Sequence, residues 1–517
     1  MGEAVDQWAK ERPDAIAYVA GDARMTWAEY DDRATRLATA LVATGLPRGA
    51  RVGVLLPDGC AVHVAFIAAE RAGLTIVGLG HRAGDAEIRH ILGKTAAKGL
   101  VTLASHRGRP AVDLVDALRD DGLKIAHHVV VSADAARDAL VDGEEPTAEP
   151  FDREERAYGA DDLFIINSTS GTTGMPKCVL HNQNRWMFFH QLAVAAGDMT
   201  TDDVFFGAVP APFGFGLWTA HFTPNLLGST TVVMERFDAD EALALIERER
   251  VTVLSCVSTQ FLMMLNSPAV ERRDLTSLRC MFTGGEAVPY ERAARFEDVT
   301  GARVLQFYGS NETGALSNTT MRDDREHRLQ TAGRIIPEMN VRLLDDDGRD
   351  ITEPNVPGNP VCKGAATCFG YLDDDAANEE LITDDGYMRI GDLCEIDADG
   401  YLRVVGRTSD IIIRGGKNIS APAVEAEVAG HPAIAVAAAV SMPDEIFGER
   451  VCLYAELQPG ATLVLDDVVA HLRERGVSPE WFPERLVVVD ALPRASGGKV
   501  AKGDLRADIR RRLETEA

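Results

Sequence analysis

The consecutive residues Ser168-Thr169-Ser170-Gly171-Thr172-Thr173-Gly174-Met175-Pro176-Lys177 combine the groups that a nucleotide polyphosphate needs at close range. Two glycines leave backbone N–H groups unhindered, the Ser and Thr hydroxyls donate, and one lysine fixes an ammonium. The run directly follows an apolar strand candidate at 163–167, so it reads as a phosphate-gripping loop at a strand end. It is not the P-loop pattern, because Gly171 and Gly174 stand too close together and Lys177 precedes Cys178 rather than Ser or Thr. Taken alone, such a stretch is more often an ordinary flexible turn. Its meaning depends on its companions.

Five further segments follow in order: Thr283-Gly284-Gly285-Glu286; Gln306-Phe307-Tyr308-Gly309-Ser310-Asn311-Glu312; Gly391-Asp392-Leu393; Gly406-Arg407-Thr408-Ser409-Asp410 with Gly415-Gly416-Lys417-Asn418-Ile419; and Pro493-Arg494-Ala495-Ser496-Gly497-Gly498-Lys499. In type, order and spacing the set resembles the adenylate-forming superfamily of acyl-CoA synthetases, luciferases and peptide-synthetase adenylation domains, over nearly the whole chain. The resemblance implies that a carboxylate attacks the α-phosphorus of ATP. Both reactants are anions and pyrophosphate leaves with still more charge, so cations and N–H donors must converge there. By resemblance, Thr169, Ser170, Gly171, Thr172, Thr173 and Gly174 cradle the β- and γ-phosphates with Lys177, and Glu312 helps hold Mg²⁺. Lys499 bridges the charge developing between the α-phosphate and the acid. Lys177, Glu312 and Lys499 are thus the expected catalytic residues. Gly284, Gly285 and Glu286, with Phe307 and Tyr308, would sandwich the adenine, while Asp392 and Arg407 would contact the ribose. Gln306, Gly309 and Asn311 count with the nucleotide-binding residues. In isolation, Glu312 reads as a surface carboxylate, Lys499 as a solvated lysine and Gly284-Gly285 as a strand-ending turn.

Residues 406–410 resemble the hinge about which the family's small domain rotates between half-reactions, so that Lys499 serves adenylation and the region of Gly415, Gly416 and Lys417 forms a tunnel for the CoA thiol. Arg414 and Lys417 could help hold CoA phosphates, although exposed basic residues are more often idle. The segment Pro210-Ala211-Pro212-Phe213-Gly214-Phe215-Gly216-Leu217-Trp218 matches the family's acid pocket, with Phe213 where many members carry His; Val257, Ser258 and Thr259 match a second wall. Phe213, Phe215, Trp218 and Ser258 are the expected pocket residues, and a Phe/Trp cluster of this kind is also the usual content of a core. The pocket segment offers neither cation nor carboxylate, which favours an apolar acid, cyclic and aromatic acids included, over an amino acid.

Five positions depart from the family pattern: Cys178 for Gly, Asn311 for Thr, Ile390 for Thr, Ser409 for Asp or Lys, and Ala423 for Glu. Asn311 matters most, since the Thr it replaces ordinarily donates to the α-phosphate; an amide also donates. Three functional readings follow: an acid:CoA ligase, a ligase loading a separate carrier protein, and a diverged member that binds or thioesterifies without adenylating. The chain runs only 18 residues beyond Lys499, so a carrier is expected to be a different molecule.

The elements that must position these residues are those of an α/β protein. Thr26-x-x-Glu29 fits a capping box, with Tyr30, Ala34, Leu37 and Leu41 at helical spacing and Gly45 as a stop. Strand and helix patterns alternate at 52–56, 61–71, 74–77, 86–92 and 99–103, and again at 230–234, 239–250 and 252–257, which predicts two doubly wound βα subdomains. An acidic, Pro-bearing linker is expected at 142–152. From about 335, turn-rich short strands with Asp345-Asp346-Asp347-Gly348 and Asp397-Ala398-Asp399-Gly400 predict a small distorted β-barrel. The expected division is a large N-terminal domain over 1–408 and a small mobile α+β C-terminal domain over 409–517 carrying Lys499.

With 517 residues, 46% of them hydrophobic and 26% charged, the chain can bury several cores. A net charge of −27 argues against binding to nucleic acid or anionic membrane, so a polyanionic substrate must meet local cations. The eight cysteines show no metal-site spacing and most sit in apolar runs, as buried thiols of a reducing compartment do. Residues 1–12 lack signal-peptide character and no stretch is long enough to span a membrane, so a cytoplasmic location is expected. The expected partners are a small carboxylic acid, ATP and CoA, for a monomer or homodimer.

Overall fold

The computed structural model describes residues 1–147, 150–169, 175–285, 288, 290–407, 410–414, 417–444, 446–494 and 499–516, with backbone only at 407, 411, 413, 417 and 418. Two large sheets organise the first three quarters of the chain. In the first, the described strands run Leu140–Val141, His127–Val130, Gly99–Thr102, Arg51–Leu55, Thr75–Gly78, β1 (Ile165–Ser168) and β2 (Cys178–His181). Its centre is parallel, and only the two margins turn back antiparallel. A parallel sheet is covered on both faces, which is why Thr75–Gly78, Gly99–Thr102 and β1 are buried at every position.

The second sheet runs Arg334–Ile335, β5 (Gly314–Asn318), β4 (Arg303–Ser310), β3 (Cys280–Gly284), Val253–Ser255, Val204–Gly207, Thr230–Val233, Ile16–Ala20 and Ala23–Thr26 among the described residues. The two subdomains are therefore interleaved in sequence: the hairpin 16–26 belongs to the second sheet, with Tyr18 opposite Thr231, although the strands after it build the first. The helix that follows, Trp27–Ala43, starts at the expected capping box: the Glu29 N–H donates to Thr26 Oγ1 at 3.2 Å and the Thr26 N–H to Glu29 Oε2 at 2.9 Å. Tyr30, Ala34, Leu37 and Leu41 form its buried stripe, each large apolar side chain contributing about 1.5–3 kcal/mol. Gly45 ends the segment at φ +73°.

Helix α1 (Gln183–Gly197) packs between the sheets, and α2 (Tyr290–Thr300) lies beside β4. Beyond residue 340 the described strands form a four-stranded antiparallel sheet and the pair β6 (Asp392–Ile396) and β7 (Leu402–Arg407), joined by the bridge between Gly358 and Cys394. The hairpin turns fall at Asp345–Gly348 and Asp397–Gly400, as the Asp-Gly pattern predicts. Among the described residues, the C-terminal domain is a five-stranded sheet with the helices Ala421–Val428, Leu465–Glu474 and Lys502–Glu516. The fold is thus mixed α/β, with a large N-terminal domain and a small C-terminal one. All eight cysteines are buried thiols outside any disulfide. No described helix is long and apolar enough to cross a membrane.

Candidate active site

The loop expected to grip phosphate joins β1 to β2, with Ser168 opposite Cys178. Its base is closed twice: the Thr169 N–H donates to the Lys177 carbonyl at 3.0 Å and the Lys177 N–H to Thr169 Oγ1 at 3.1 Å. His90 Nε2 lies 3.0 Å from the Pro176 carbonyl and holds the outgoing limb. Ser170, Gly171, Thr172, Thr173 and Gly174 lie outside the described residues. Cys178 is buried among Ile166 and Leu372, an apolar position at the root of the hairpin.

Lys177 and Glu312 meet through Tyr371, which the sequence reading does not single out. The Lys177 ammonium sits 4.8 Å from the centre of the Tyr371 ring, and the Tyr371 hydroxyl donates to Glu312 Oε1 at 2.8 Å. Burial, and then the Glu312 carboxylate, push the tyrosine hydroxyl's pKa upward, so it remains a donor. The pair Gly370-Tyr371 carries no period or spacing that marks it as functional, and its partner is 59 residues away.

Glu312 and Asn311 occupy the turn between β4 and β5. Gly309 permits that turn, since a Cβ there would come within 1.7 Å of the Gly314 carbonyl oxygen. Asn311 does not stand alone: its Nδ2 donates to Asn167 Oδ1 at 2.7 Å, and Asn167 Nδ2 donates back to Asn311 Oδ1 at 3.2 Å.

Along β4 alternate side chains face opposite ways, which separates the two aromatics expected together on adenine. Tyr308 points toward β6, donating to Asp392 Oδ2 at 2.8 Å. Phe307 turns inward, 5.3 Å from Trp218 and 5.5 Å from Phe282 between ring centres, and is 7% exposed. Strand alternation thus puts the two rings expected to flank adenine on opposite faces of β4, with Tyr308 on the Asp392 side. The Gln306 side chain is likewise committed to structure, its Nε2 donating to the Arg328 carbonyl at 2.8 Å. Asp392 and Arg407 are direct cross-strand neighbours on β6 and β7, as a shared ribose contact would require of the backbone.

Gly284 ends β3, where a Cβ would meet the Phe307 carbonyl at 2.3 Å, and Gly285 follows at φ +79°. Onto this corner the C-terminal domain delivers Lys499, whose Nζ donates to the Gly285 carbonyl at 2.6 Å across 214 residues. The domain is seated by further contacts with α2: Arg292 donates to the Ala429 carbonyl at 2.6 Å, and Arg475 pairs with Glu291 at 2.9 Å. Glu286, Gly415 and Gly416 lie outside the described residues, as do Thr408 and Ser409 of the expected hinge. Lys417 is described as strand backbone alone, within Lys417–Ser420. Arg414 is engaged by Glu484 at 2.7 Å and by the Phe447 ring. Asp410, the last residue of the expected hinge, is tied to Lys502 at 3.4 Å and Arg506 at 3.1 Å of the terminal helix.

Within the expected acid pocket segment, half-buried Phe213 precedes the short helix Gly214–Gly216 and a π-helical turn, Leu217–Phe222. Single π turns are often found at functional sites. This one turns Trp218 into a ring cluster with Phe189, Phe215, Phe282 and Phe307. Ser258 is buried at the start of helix Ser258–Asn266. Beneath the segment lies Asp58, whose Oδ1 accepts the Ala211 N–H at 2.7 Å. Burial pushes its carboxyl up to about 7 against the pull of that N–H.

A lysine-bearing loop, a carboxylate, a tyrosine–aspartate pair and a second lysine delivered by another domain form the constellation of an adenylate-forming protein. The chain belongs to the AMP-binding enzyme family: residues 5–372 match that family and residues 423–499 match the AMP-binding enzyme C-terminal domain. It is 31% identical over 513 residues to a medium-chain fatty-acid–CoA ligase of Escherichia coli K12, covering 98% of this chain and 90% of that protein. It is 33% identical over 529 residues to the salicyl-AMP ligase / salicyl-S-ArCP synthetase of Mycobacterium tuberculosis, with 99% and 89% covered. Among solved structures, ATP-bound MatB from Rhodopseudomonas palustris superposes with a TM-score of 0.84 at 26% identity, covering 98% of each chain.

Proposed function

We propose that this protein activates an apolar carboxylic acid, aromatic and cyclic acids included, to an acyl-AMP and then passes the acyl group to the thiol of CoA. In the first step an acid oxygen bonds to the α-phosphorus of ATP, and the bond to the β-phosphate oxygen breaks to release pyrophosphate. In the second, the thiol sulfur bonds to the acyl carbon, AMP leaves and the thiol proton passes to solvent. The observation that carries this reading is Lys499 lying on the Gly285 carbonyl, beside β4, which carries Tyr308 and leads into the turn of Asn311 and Glu312. That contact is expected only if the small domain closes over a nucleotide corner of the large one.

Within this reading, Thr169 to Lys177 hold the β- and γ-phosphates, Asp392 and Arg407 the ribose, and Lys499 the charge that develops at the α-phosphate. Gly284 and Gly285 admit the adenine ring to backbone and Tyr308 flanks it. Glu312, oriented by Tyr371, is the residue to hold Mg²⁺; one carboxylate together with substrate phosphates suits that ion, which keeps several waters. The ion would neutralise phosphate charge. Phe213, Phe215 and Ser258 line the acid side, backed by Trp218. The large domain ends at Thr408 and the mobile one begins at Ser409, because Asp410 is already bound to the terminal helix.

Exchange of labelled pyrophosphate into ATP, across a panel of aliphatic, aromatic and polycyclic acids, tests the first step; no exchange with any acid would leave a non-adenylating binder. Thioester formation with free CoA tests the second. The relative that is a salicyl-S-ArCP synthetase supports a carrier-protein thiol as the alternative acceptor, and thioester appearing only with a carrier would favour it.

A further inference from the structure

Behind the Glu312 segment four residues close a ring of hydrogen bonds. Asn167 stands on β1 just ahead of the loop, His181 ends β2 just after it, Arg185 lies one turn into α1, and Asn311 precedes Glu312. Arg185 Nη1 donates to the Asn311 carbonyl at 3.0 Å and to His181 Nδ1. His181 Nε2 faces Asn167 Oδ1 at 2.7 Å, and the two asparagine amides bond reciprocally. One assignment of protons satisfies every link: a neutral His181 donating from Nε2 and accepting at Nδ1. Burial, and then the Arg185 charge, hold the imidazole in that neutral state.

Arg185 is 1% exposed and forms no ion pair among the described residues. A buried cation without a bonded carboxylate is costly and needs a compensating field. Burial pulls its pKa down to about 10, opposed by Cys368, Glu312 and Cys362, so the guanidinium remains charged beside the Glu312 segment. The same ring touches the acid side as well, since a Cβ on Gly214 would come within 2.7 Å of Asn311 Oδ1.

Building on the function proposed above, we infer that Arg185 is a positioning residue for the nucleotide site: through His181, Asn167 and Asn311 it locks the two strands that bear the phosphate loop to the segment that bears Glu312. Loop and carboxylate then hold one spacing whichever half-reaction is under way. The inference also accounts for Asn311 in place of the family's threonine, because a threonine has no second group to return the bond from Asn167.

The test compares wild type with Arg185→Met, Arg185→Lys and Asn167→Ala, by calorimetric titration with MgATP without acid and by Mg²⁺ dependence of pyrophosphate exchange. For Arg185→Met, MgATP affinity should fall about 10- to 100-fold, and the Mg²⁺ concentration for half-maximal exchange should rise. KM for the acid should stay within about twofold, and Arg185→Lys should recover part of the loss. Arg185→Met combined with Asn167→Ala should be little worse than Arg185→Met alone, as for members of one unit. Unchanged MgATP affinity and Mg²⁺ midpoint in Arg185→Met, or losses that multiply in the double variant, would overturn the inference. Should Arg185→Met fail to fold, Asn167→Ala alone must show the same pattern or the inference falls. A wild type that binds MgATP but exchanges with no acid sinks the proposed function instead, and the calorimetric comparison still decides this inference.

Discussion

At the residue scale, two side chains beneath and within the acid segment make separable predictions. Burial pushes the Asp58 carboxyl up to about 7 in the folded protein, against about 3.9 in an unfolded chain. Between these values the folded state holds a proton that the unfolded state has lost, so stability falls as pH rises through the window and levels off above it. Asp58→Asn keeps an oxygen for the Ala211 N–H and removes the titration. The variant should therefore melt above wild type at pH 8, by about 1–4 kcal/mol, with the gap closing toward pH 4; a gap independent of pH would refute the assignment. Phe213 is half-buried at the mouth of the π turn, so Phe213→Ala should reorder the acid panel while KM for ATP moves less than about threefold, since each methylene of acid that an apolar pocket admits or excludes is worth about 1–3 kcal/mol of discrimination. An unchanged acid profile would remove Phe213 from the pocket. Residues of this kind differ in how readable they are. Lys177, Glu312 and Lys499 sit in spaced motifs, whereas Tyr371, Arg185 and Asn167 act through partners 59 to 144 residues distant and have no local pattern.

At the element scale, β4 is the member on which the site hangs: Tyr308 faces β6, Phe307 faces the ring cluster, and the turn beyond Ser310 presents Asn311 and Glu312. Gly309→Ala places a methyl against the Gly314 carbonyl and forces the hairpin apart. Chemical denaturation should show a loss of about 1–3 kcal/mol, with weaker MgATP binding; a stability equal to wild type would mean the hairpin yields freely. The capping box at Thr26, the βα alternation and the Asp-Gly hairpins are legible because they depend on neighbours within a few residues. Sheet order is not legible, since the partner of Tyr18 lies at Thr231 and no periodicity announces it. The division of labour between Phe307 and Tyr308 follows from strand geometry once β4 is known to be a strand, and the motif by itself hides it.

At the scale of the whole molecule, the proposed function makes the contact between Lys499 and Gly285 one of two seatings of the small domain. Lys499→Ala should lower acyl-AMP formation about 100- to 1,000-fold while thioester formation from supplied acyl-AMP stays near wild type; equal loss of both would refute alternation between two seatings. Glu291→Arg breaks the ion pair with Arg475 that helps hold this seating. An exposed pair of this sort is worth about 0.2–1 kcal/mol, so adenylation should slow less than about fivefold and recover when Arg475→Glu is added. The interleaving of the two sheets has a consequence for biosynthesis. Ile16 and Thr230, neighbours in the finished sheet, are 214 residues apart. At about 5–20 residues per second, the newborn hairpin 16–26 waits roughly 10–40 s for the strand it will lie against. Until then it is an open edge on the ribosome, and chaperones that shield such edges should bind this nascent chain before residue 230 emerges.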